Sequence, residues 1–559
     1  MKKKNFFMLA LAAMAFAACS NEDLVPGNGG EDVTIDPNGD AWVALSIKST
    51  SVPNSRSLND PNKIDGTQEE SGVNKATAIF FNGPNGTSVV TRAVTLTAAN
   101  IGTPTQDPNT TTGGTAFQIP STSKTILLIA NPDGITLPTI EEGVTTFNDI
   151  NAAMVAGTLT STIAKDDQFL MTNAKGDLEP SDGSGNTTEL QLYPSAAAAQ
   201  GAPLTIHIDR VVAKVRVFTE GGATNTATAN VYEPGWVLNV TNKMFFPVSK
   251  RMKTFNEDPS SVGGRGTCIS PFDQYKIGSY RIDPNFGAVN FADWEWNGTA
   301  GTYGDHYNYF DAADYATITW KAMNTGSEYC LENTQEELYN VHSYTTQALV
   351  KANFAPKGLK KADGTEFDVA QNVDWMIITG DGAGYYTYES ILGYIEKELT
   401  NKYTDQAPAT FPTHITNALN DYLLFVGLTK VTIPDDKGGD TPEVAAGKVK
   451  DLFAALETSV KNNSKGGKKS TNVAYYSAGV SYYKIMIKHD DTAPVWNKLG
   501  EFGVVRNSVY DIRISKFLNP GFPSIPDPDP DTKDETEDQY LSLEIVTNPW
   551  TWYSQSEIL

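Results

Sequence analysis

The sequence predicts a mainly β fold, and three observations carry that expectation. Charged residues make up only 19% of the chain while aromatic residues reach 10%, a balance that suits pleated, half-buried strands better than solvated helices. The 46 glycines and 30 prolines supply turns throughout. Large apolar residues also recur at every second position in several short runs that end in Gly, Asn or Pro, which is the period of a strand with one buried face. At 559 residues the chain is long enough for more than one domain.

Residues 1–18 read as a secretory signal peptide: Lys2, Lys3 and Lys4, a short apolar run from Phe6 to Phe16, and small residues directly before Cys19. That run falls short of the roughly 20 apolar residues a membrane-spanning helix needs. Small residues before a cysteine resemble the lipobox of bacterial lipoproteins, in which the cysteine becomes the acylated first residue, so Cys19 is the expected lipid anchor; the alternative is ordinary cleavage that leaves a free thiol. Residues 19–40 are the lipidated tether, rich in Gly, Asp and Asn and without periodicity. Ser20, Asn21, Glu22 and Asp23 resemble the surface-export signal of some Bacteroidetes lipoproteins, or form a merely solvated stretch. The whole chain carries a formal charge of −23, and loss of three lysines with the leader leaves −26. Nucleic acid and anionic headgroups are therefore poor partners.

An N-terminal β domain is expected over 41–203. Its first strand runs from Ala41 to Lys48 with Val43, Leu45 and Ile47 on one face. A loop rich in Pro and small polar residues follows and exposes Arg56 and Ser57. Further strands are expected at 75–81, 124–130 and 168–172, the second of them apolar enough to be buried on both faces. A second β domain with insertions is expected over 204–518, with its boundary near Leu204. It includes a Tyr- and Trp-rich stretch with Trp294, Trp296, Tyr303, Tyr307, Tyr309, Phe310 and Tyr315, which can stack on sugar rings or pack an insertion. Thr441 and Pro442 open a helix whose Val444, Val449, Leu452, Phe453, Leu456 and Val460 form an apolar packing stripe. Strands return at 473–487 and 504–514.

Residues 519–537 carry Pro520, Pro523, Pro526, Pro528 and Pro530, interleaved with Asp527, Asp529 and Asp531, and read as a semi-rigid spacer, able to span about 60 Å at roughly 3.1 Å per residue. The C-terminal segment 538–559 is strand-like, with Leu541, Leu543 and Ile545 on one face and Trp550 and Trp552 beyond Asn548-Pro549. Its aliphatic triplet repeats that of the first strand. A strand held on a spacer can occupy, in another copy, the groove that the first strand vacates: ladder bonds supply affinity and alternate side chains supply register. It can also fold back on its own domain. Vacating the groove requires a cut, and Arg56 stands in the loop after the first strand.

The run Gly503-Val504-Val505-Arg506-Asn507-Ser508-Val509-Tyr510, the Pro/Asp repeat, and Leu541-Ser542-Leu543-Glu544-Ile545 through Asn548-Pro549-Trp550 resemble the type V fimbrillins of Bacteroidetes, most closely the shaft subunits of minor fimbriae. Shorter likenesses lie at Leu128–Asn131, Phe169–Thr172 and Arg210–Val215. The resemblance implies two transthyretin-like β-sandwich domains, the second elaborated and partly helical, followed by a C-terminal donor strand. It also implies export as an outer-membrane lipoprotein, cleavage between Arg56 and Ser57 by an arginine-specific protease, and polymerisation of identical subunits by donor-strand exchange. The expected product is a surface fimbrium with anchor and tip subunits as further partners, serving adhesion and biofilm formation. Asp491-Thr492-Ala493 is similar to an O-glycosylation motif of the same bacteria. A tip adhesin and a monomeric glycan-binding surface lipoprotein are the alternatives.

No catalytic motif stands out. The five histidines form no metal spacing, Gly380 to Gly384 lacks the spacing of a phosphate loop, and Asp527, Asp529 and Asp531 are followed by Thr532 where a calcium loop needs Gly. No enzyme activity, cofactor or metal is expected. Cys268 and Cys330, the two cysteines beyond Cys19, can pair or stay free.

Overall fold

The computed structural model describes residues 34–49, 66–102, 113–173, 180, 189–251, 281–286, 302–335, 339–380, 383–404, 413–489, 500–534 and 541–549. Sheets dominate it, as the composition predicts.

The chain enters through β1 (Asp40–Val43) and β2 (Leu45–Ser49), one run bent at Ala44. The single strand expected over Ala41 to Lys48 is thus shared between two sheets. Next come β3 (Ala76–Phe81), β4 (Val90–Leu96), β5 (Phe117–Pro120), β6 (Thr125–Ala130), β7 (Met171–Asn173) and β8 (Leu204–Arg210). Six of them form one sheet in the order β2-β8-β7-β6-β3-β4, while β1 pairs with β5. β6 has no polar face, and every residue in it is buried. Asn131, just after β6, adopts a left-handed φ of 55°. Its side chain accepts from Asn74 N at 3.0 Å and donates to Gly72 O and Phe169 O, both at 2.8 Å, which ties the turn to two neighbouring segments.

Val211 is the hinge between sheets. β8 still belongs to the first sheet, so the chain changes sheets seven residues later than the expected boundary at Leu204. β9 (Val212–Thr219), β10 (Ala229–Asn239), β11 (Lys321–Ala322), β12 (Ser327–Leu331), β13 (Gln347–Pro356), β14 (Trp375–Ile378), β15 (Gly384–Thr387), β16 (Lys468–Lys469), β17 (Val473–Tyr476), β18 (Val480–Met486), β19 (Ser508–Phe517) and β20 (Leu541–Pro549) follow. Two four-stranded sheets, β12-β9-β19-β20 and β11-β10-β13-β18, share a core that includes Val215, Trp236, Val350, Tyr483, Ile512 and Phe517. Cys330 lies in that core as a free thiol. Cys268 falls outside the described residues.

A third four-stranded sheet, β15-β14-β17-β16, carries four helices: α1 (Tyr388–Tyr403), α2 (His414–Phe425), α3 (Pro442–Ala454) and α4 (Glu457–Asn463). The Thr441 side chain accepts from Val444 N and Pro442 fills the first turn of α3, as expected. The predicted stripe is only half right. The helix breaks after Ala454, and Val449, Phe453 and Val460 are buried whereas Val444 and Leu452 are 48% and 54% exposed. The exposed pair lies within α3 itself, where Ala445, Ala446, Val449 and Phe453 take the buried face and Val444, five positions before Val449, falls on the other side of the axis.

Glu398 on α1 is buried where α1 meets α2, and burial pushes its carboxyl up to about 7 against the bonds it accepts from Thr416. A carboxyl whose folded pKa is raised stabilises the fold most below its unfolded value near 4.5, and that stability is lost as pH rises through 7. Glu398→Gln is therefore expected to raise stability at pH 8 by up to about 3 kcal/mol and to change it little at pH 4. Urea midpoints at the two pH values check this. Equal shifts at both would refute it.

The Tyr-rich stretch packs. Tyr303 and Tyr307 are buried with Val240, Val341 and Tyr344, and Phe310 and Tyr315 lie against a cluster containing Tyr482 and Ile525. Trp294 and Trp296 are outside the described residues.

The Pro/Asp segment, expected to stand off as a spacer, instead lies on the body as far as Asp534. Tyr482 and Phe522 exchange backbone hydrogen bonds at 2.9 and 2.7 Å, and Ile525 is only 1% exposed, a burial worth about 1.5–3 kcal/mol. Asp529 accepts from Asp531 N, Thr532 N and Thr532 Oγ1, so its carboxylate serves a turn. Prolines deny this segment a regular ladder, and it binds through isolated bridges and apolar side chains.

Candidate functional site

The features that point to a function are two strands with matching aliphatic triplets, and the structure places them in different sheets. Val43 closes β1 and Leu45 and Ile47 lie in β2; all three are at most 1% exposed and belong to the first core. The segment is held on both sides. β1 runs antiparallel to β5, from Asp40 opposite Pro120 to Val43 opposite Phe117. Its other edge meets Tyr193, which exchanges backbone bonds with Trp42 at 2.7 and 2.9 Å. β2 runs parallel to β8, with Leu45, Ile47 and Ser49 opposite Leu204, Ile206 and Ile208. Gly114 N bonds to Leu45 O at 2.9 Å on its far side.

The face opposite the core is narrow. Ala44 meets Ala116 and Ala199 in a small cluster with Trp42 and Tyr193. At Ala44, 1% exposed, the groove leaves room for a small side chain alone. Because β2 ends its sheet, it can leave without parting any other pair of strands.

β20 is likewise terminal in its sheet. It runs antiparallel to β19 from Leu541 opposite Phe517 to Pro549 opposite Ser508, with a bulge between Ile514 and Lys516. Leu543 and Ile545 stand opposite Ile514 and Ile512. In this state the last strand folds back on its own sheet, one of the two placements the sequence allows. Cys19, Arg56, Ser57, Trp550 and Trp552 lie outside the described residues.

Between the two strands sits a charged network that the sequence reading did not assign. Arg210, at the end of β8, is fully buried; its Nε donates to Glu70 O at 2.7 Å, Nη2 to Ser71 Oγ at 2.8 Å and Nη1 to Asn507 Oδ1 at 3.2 Å. Glu70 Oε1 accepts from Lys214 Nζ at 2.6 Å and from the Tyr329 hydroxyl at 2.7 Å. Asn507 holds a left-handed φ of 56° and donates to Asp209 Oδ1 at 2.9 Å. Its neighbour Arg506 pairs with Glu332 at 3.1 Å and donates to the Phe246 and Pro247 carbonyls. Burial pushes the Asp209 carboxyl up to about 6 against the pull of Arg281, Arg506 and Arg210, and lowers Arg210 to about 10. The Arg506-Asn507 pair thereby joins the first sheet to β19, the strand that β20 lies on. A visible signal was available: Arg210 and Lys214 flank the apolar run Val211-Val212-Ala213, and a charge buried beside such a run needs a partner.

Among the described residues, no three His, Cys, Asp or Glu side chains are placed to hold a metal ion, and no helix is long and apolar enough to cross a membrane.

Comparison with known proteins agrees with the motifs. Residues 43–193 match the family model described as major fimbrial subunit protein (FimA), and residues 474–556 match the C-terminal fimbrillin model of major fimbrial subunit proteins. The first match begins at Val43 and the second contains β18, β19 and β20. Solved structures similar to this chain include a fimbrilin from Porphyromonas gingivalis W83, with 13% identity, 92% of this chain and 99% of that one covered, and a TM-score of 0.34. Another is the tip fimbrial protein Mfa3 from Porphyromonas gingivalis, with 11% identity, 91% and 100% coverage, and a TM-score of 0.28. No curated protein matches the sequence.

Proposed function

We propose that this chain, a fimbrillin at both of its matched ends, is the shaft subunit of a minor-type fimbrium, polymerised by donor-strand exchange. The leader exports it, Cys19 carries the lipid that holds the precursor on the outer membrane, and an arginine-specific protease cuts between Arg56 and Ser57. The strand bearing Val43, Leu45 and Ile47 then leaves with its anchor. The C-terminal strand of the next copy, through Leu541, Leu543, Ile545, Trp550 and Trp552, fills the groove. Anchor and tip subunits end the filament, which serves adhesion and biofilm formation. Two domains divide the work: the N-terminal one holds the groove, and the C-terminal one, with its helical insertion, presents the donor.

The observation that carries this reading is that both triplets lie on terminal strands of their sheets, one of them in a groove bonded along both edges. Three buried aliphatic side chains at about 1.5–3 kcal/mol each, with the ladder bonds, make such an exchange effectively permanent. The tyrosines that a glycan-binding surface needs exposed are buried at Tyr303 and Tyr307, which favours the structural role. Purified precursor treated with an arginine-specific protease is expected to give heat-labile, detergent-resistant ladders on a gel, and Arg56→Ala is expected to give none. Ladders that form normally with Arg56→Ala would sink the mechanism.

A further inference from the structure

We propose that the Pro/Asp segment stays docked when the last strand leaves, so that the donor hangs from Asp534 and reaches the next copy of this chain through residues 535–540 alone. The proposal rests on the donor-strand reading above and identifies which part of the C-terminus moves.

The segment is fastened along its length. Tyr483 and Tyr476 donate from their hydroxyls to Asn519 O and Gly521 O at 3.3 and 2.8 Å. Phe522 bonds both ways with Tyr482, and Ile525 sinks into the cluster with Val237 and Leu349. Ser343 N then donates to Asp529 O and His342 N to Thr532 O, both at 3.0 Å, and Asp534 N donates to Asn340 O at 3.2 Å. The Thr345 hydroxyl closes the series on the Asp534 carboxylate. Backbone meets backbone closely enough that a Cβ built on Gly521 falls 2.1 Å from Tyr482 O, and one on Gly467 falls 1.7 Å from Pro523 O. Among the described residues, β20, by contrast, has β19 as its one strand neighbour.

Direction matters as much as strength. The segment leaves β19 at Phe517, which stands opposite Leu541. It ends at Asn340 and Thr345, beside Thr346, whose carbonyl accepts from Ile487 N. His489, two residues on, meets the Tyr510 hydroxyl at 2.8 Å near the beginning of β19. The docked segment therefore runs from the end of β19 back toward its beginning. A donor freed from β19 pivots at that second end. Its reach from Asp534 to Leu541 is at most about 25 Å, less than half of what a free spacer allows, so neighbouring subunits are held close.

A disulfide lock tests this. Val341 and Lys533 face each other in an antiparallel bridge whose hydrogen bonds come from the flanking residues. Such a non-hydrogen-bonded pair has Cα atoms about 4.5 Å apart, within disulfide range. The double variant Val341→Cys with Lys533→Cys, oxidised and then cut by an arginine-specific protease, is expected to give the same ladder as its reduced form. No ladder when oxidised and a normal one when reduced would show that the segment must peel away, and the proposal falls. A second lock, Arg513→Cys with Glu544→Cys, joins β19 to β20 and is expected to stop polymerisation until reduced. Polymerisation with that lock closed would overturn the donor-strand reading itself, whatever the first lock shows.

Discussion

Arg210→Ala is expected to destabilise the uncleaved protein by about 3–5 kcal/mol, the usual consequence of removing one member of a buried charged network. The guanidinium supplies donors to Glu70 O, Ser71 Oγ and Asn507 Oδ1, all from a fully buried position. Alanine removes all three donors and leaves a cavity that the surrounding strands cannot close. Lysine at this position restores a charge without the planar fork, so Arg210→Lys should recover only part of the loss. Against a total stability of about 5–15 kcal/mol, the alanine variant loses a large fraction. Because the network joins the first sheet to β19 through Asn507, unfolding should also separate into two transitions. Urea melts followed by tryptophan fluorescence check both points. A loss below about 1 kcal/mol would show that the network does not hold the sheets together.

Much of the fold was legible because short-range patterns set it. The run Thr125–Ala130 has no polar face, and it sits inside a six-stranded sheet. Val43, Leu45 and Ile47 alternate, and all three are buried on the side that alternation predicts. Thr441 and Pro442 announced a helix start that the structure contains. What alternation cannot report is which neighbour a strand takes. The bend at Ala44 leaves the side-chain period intact while moving the chain from one sheet to another, so the run reads as one strand.

The Pro/Asp segment misled for a related reason. Proline and like charges do favour extension, but Phe522 and Ile525 are the segment's apolar residues and they find a surface to lie on. Composition describes a chain in water and says nothing of such a surface. Arg210 and Asn507 are 297 residues apart, so their bond belongs to the tertiary structure alone. The sequence marks both residues without joining them. For the candidate site the division is similar: both strands were recognisable, whereas the groove around Ala44 is built from Ala116, Tyr193 and Ala199, which no local pattern assigns to it.

Leu45→Ala and Leu543→Ala should have opposite signatures if one strand replaces the other. Leu45 is fully buried in the uncleaved protein, so its truncation is expected to cost about 2–5 kcal/mol there. After a cut at Arg56 that residue departs with the first strand, and a polymer made from the variant should lose its subunits at the same temperature as wild type. Leu543 stays with the polymer. Its truncation removes one of three aliphatic side chains that the donor offers, so the ladder should collapse at a lower temperature. The two readouts are the urea midpoint of the uncleaved protein and the temperature at which detergent-resistant ladders disappear from a gel. If Leu45→Ala weakens the assembled polymer as much as it weakens the precursor, the first strand has never left its groove, and the last strand must join subunits in some other place.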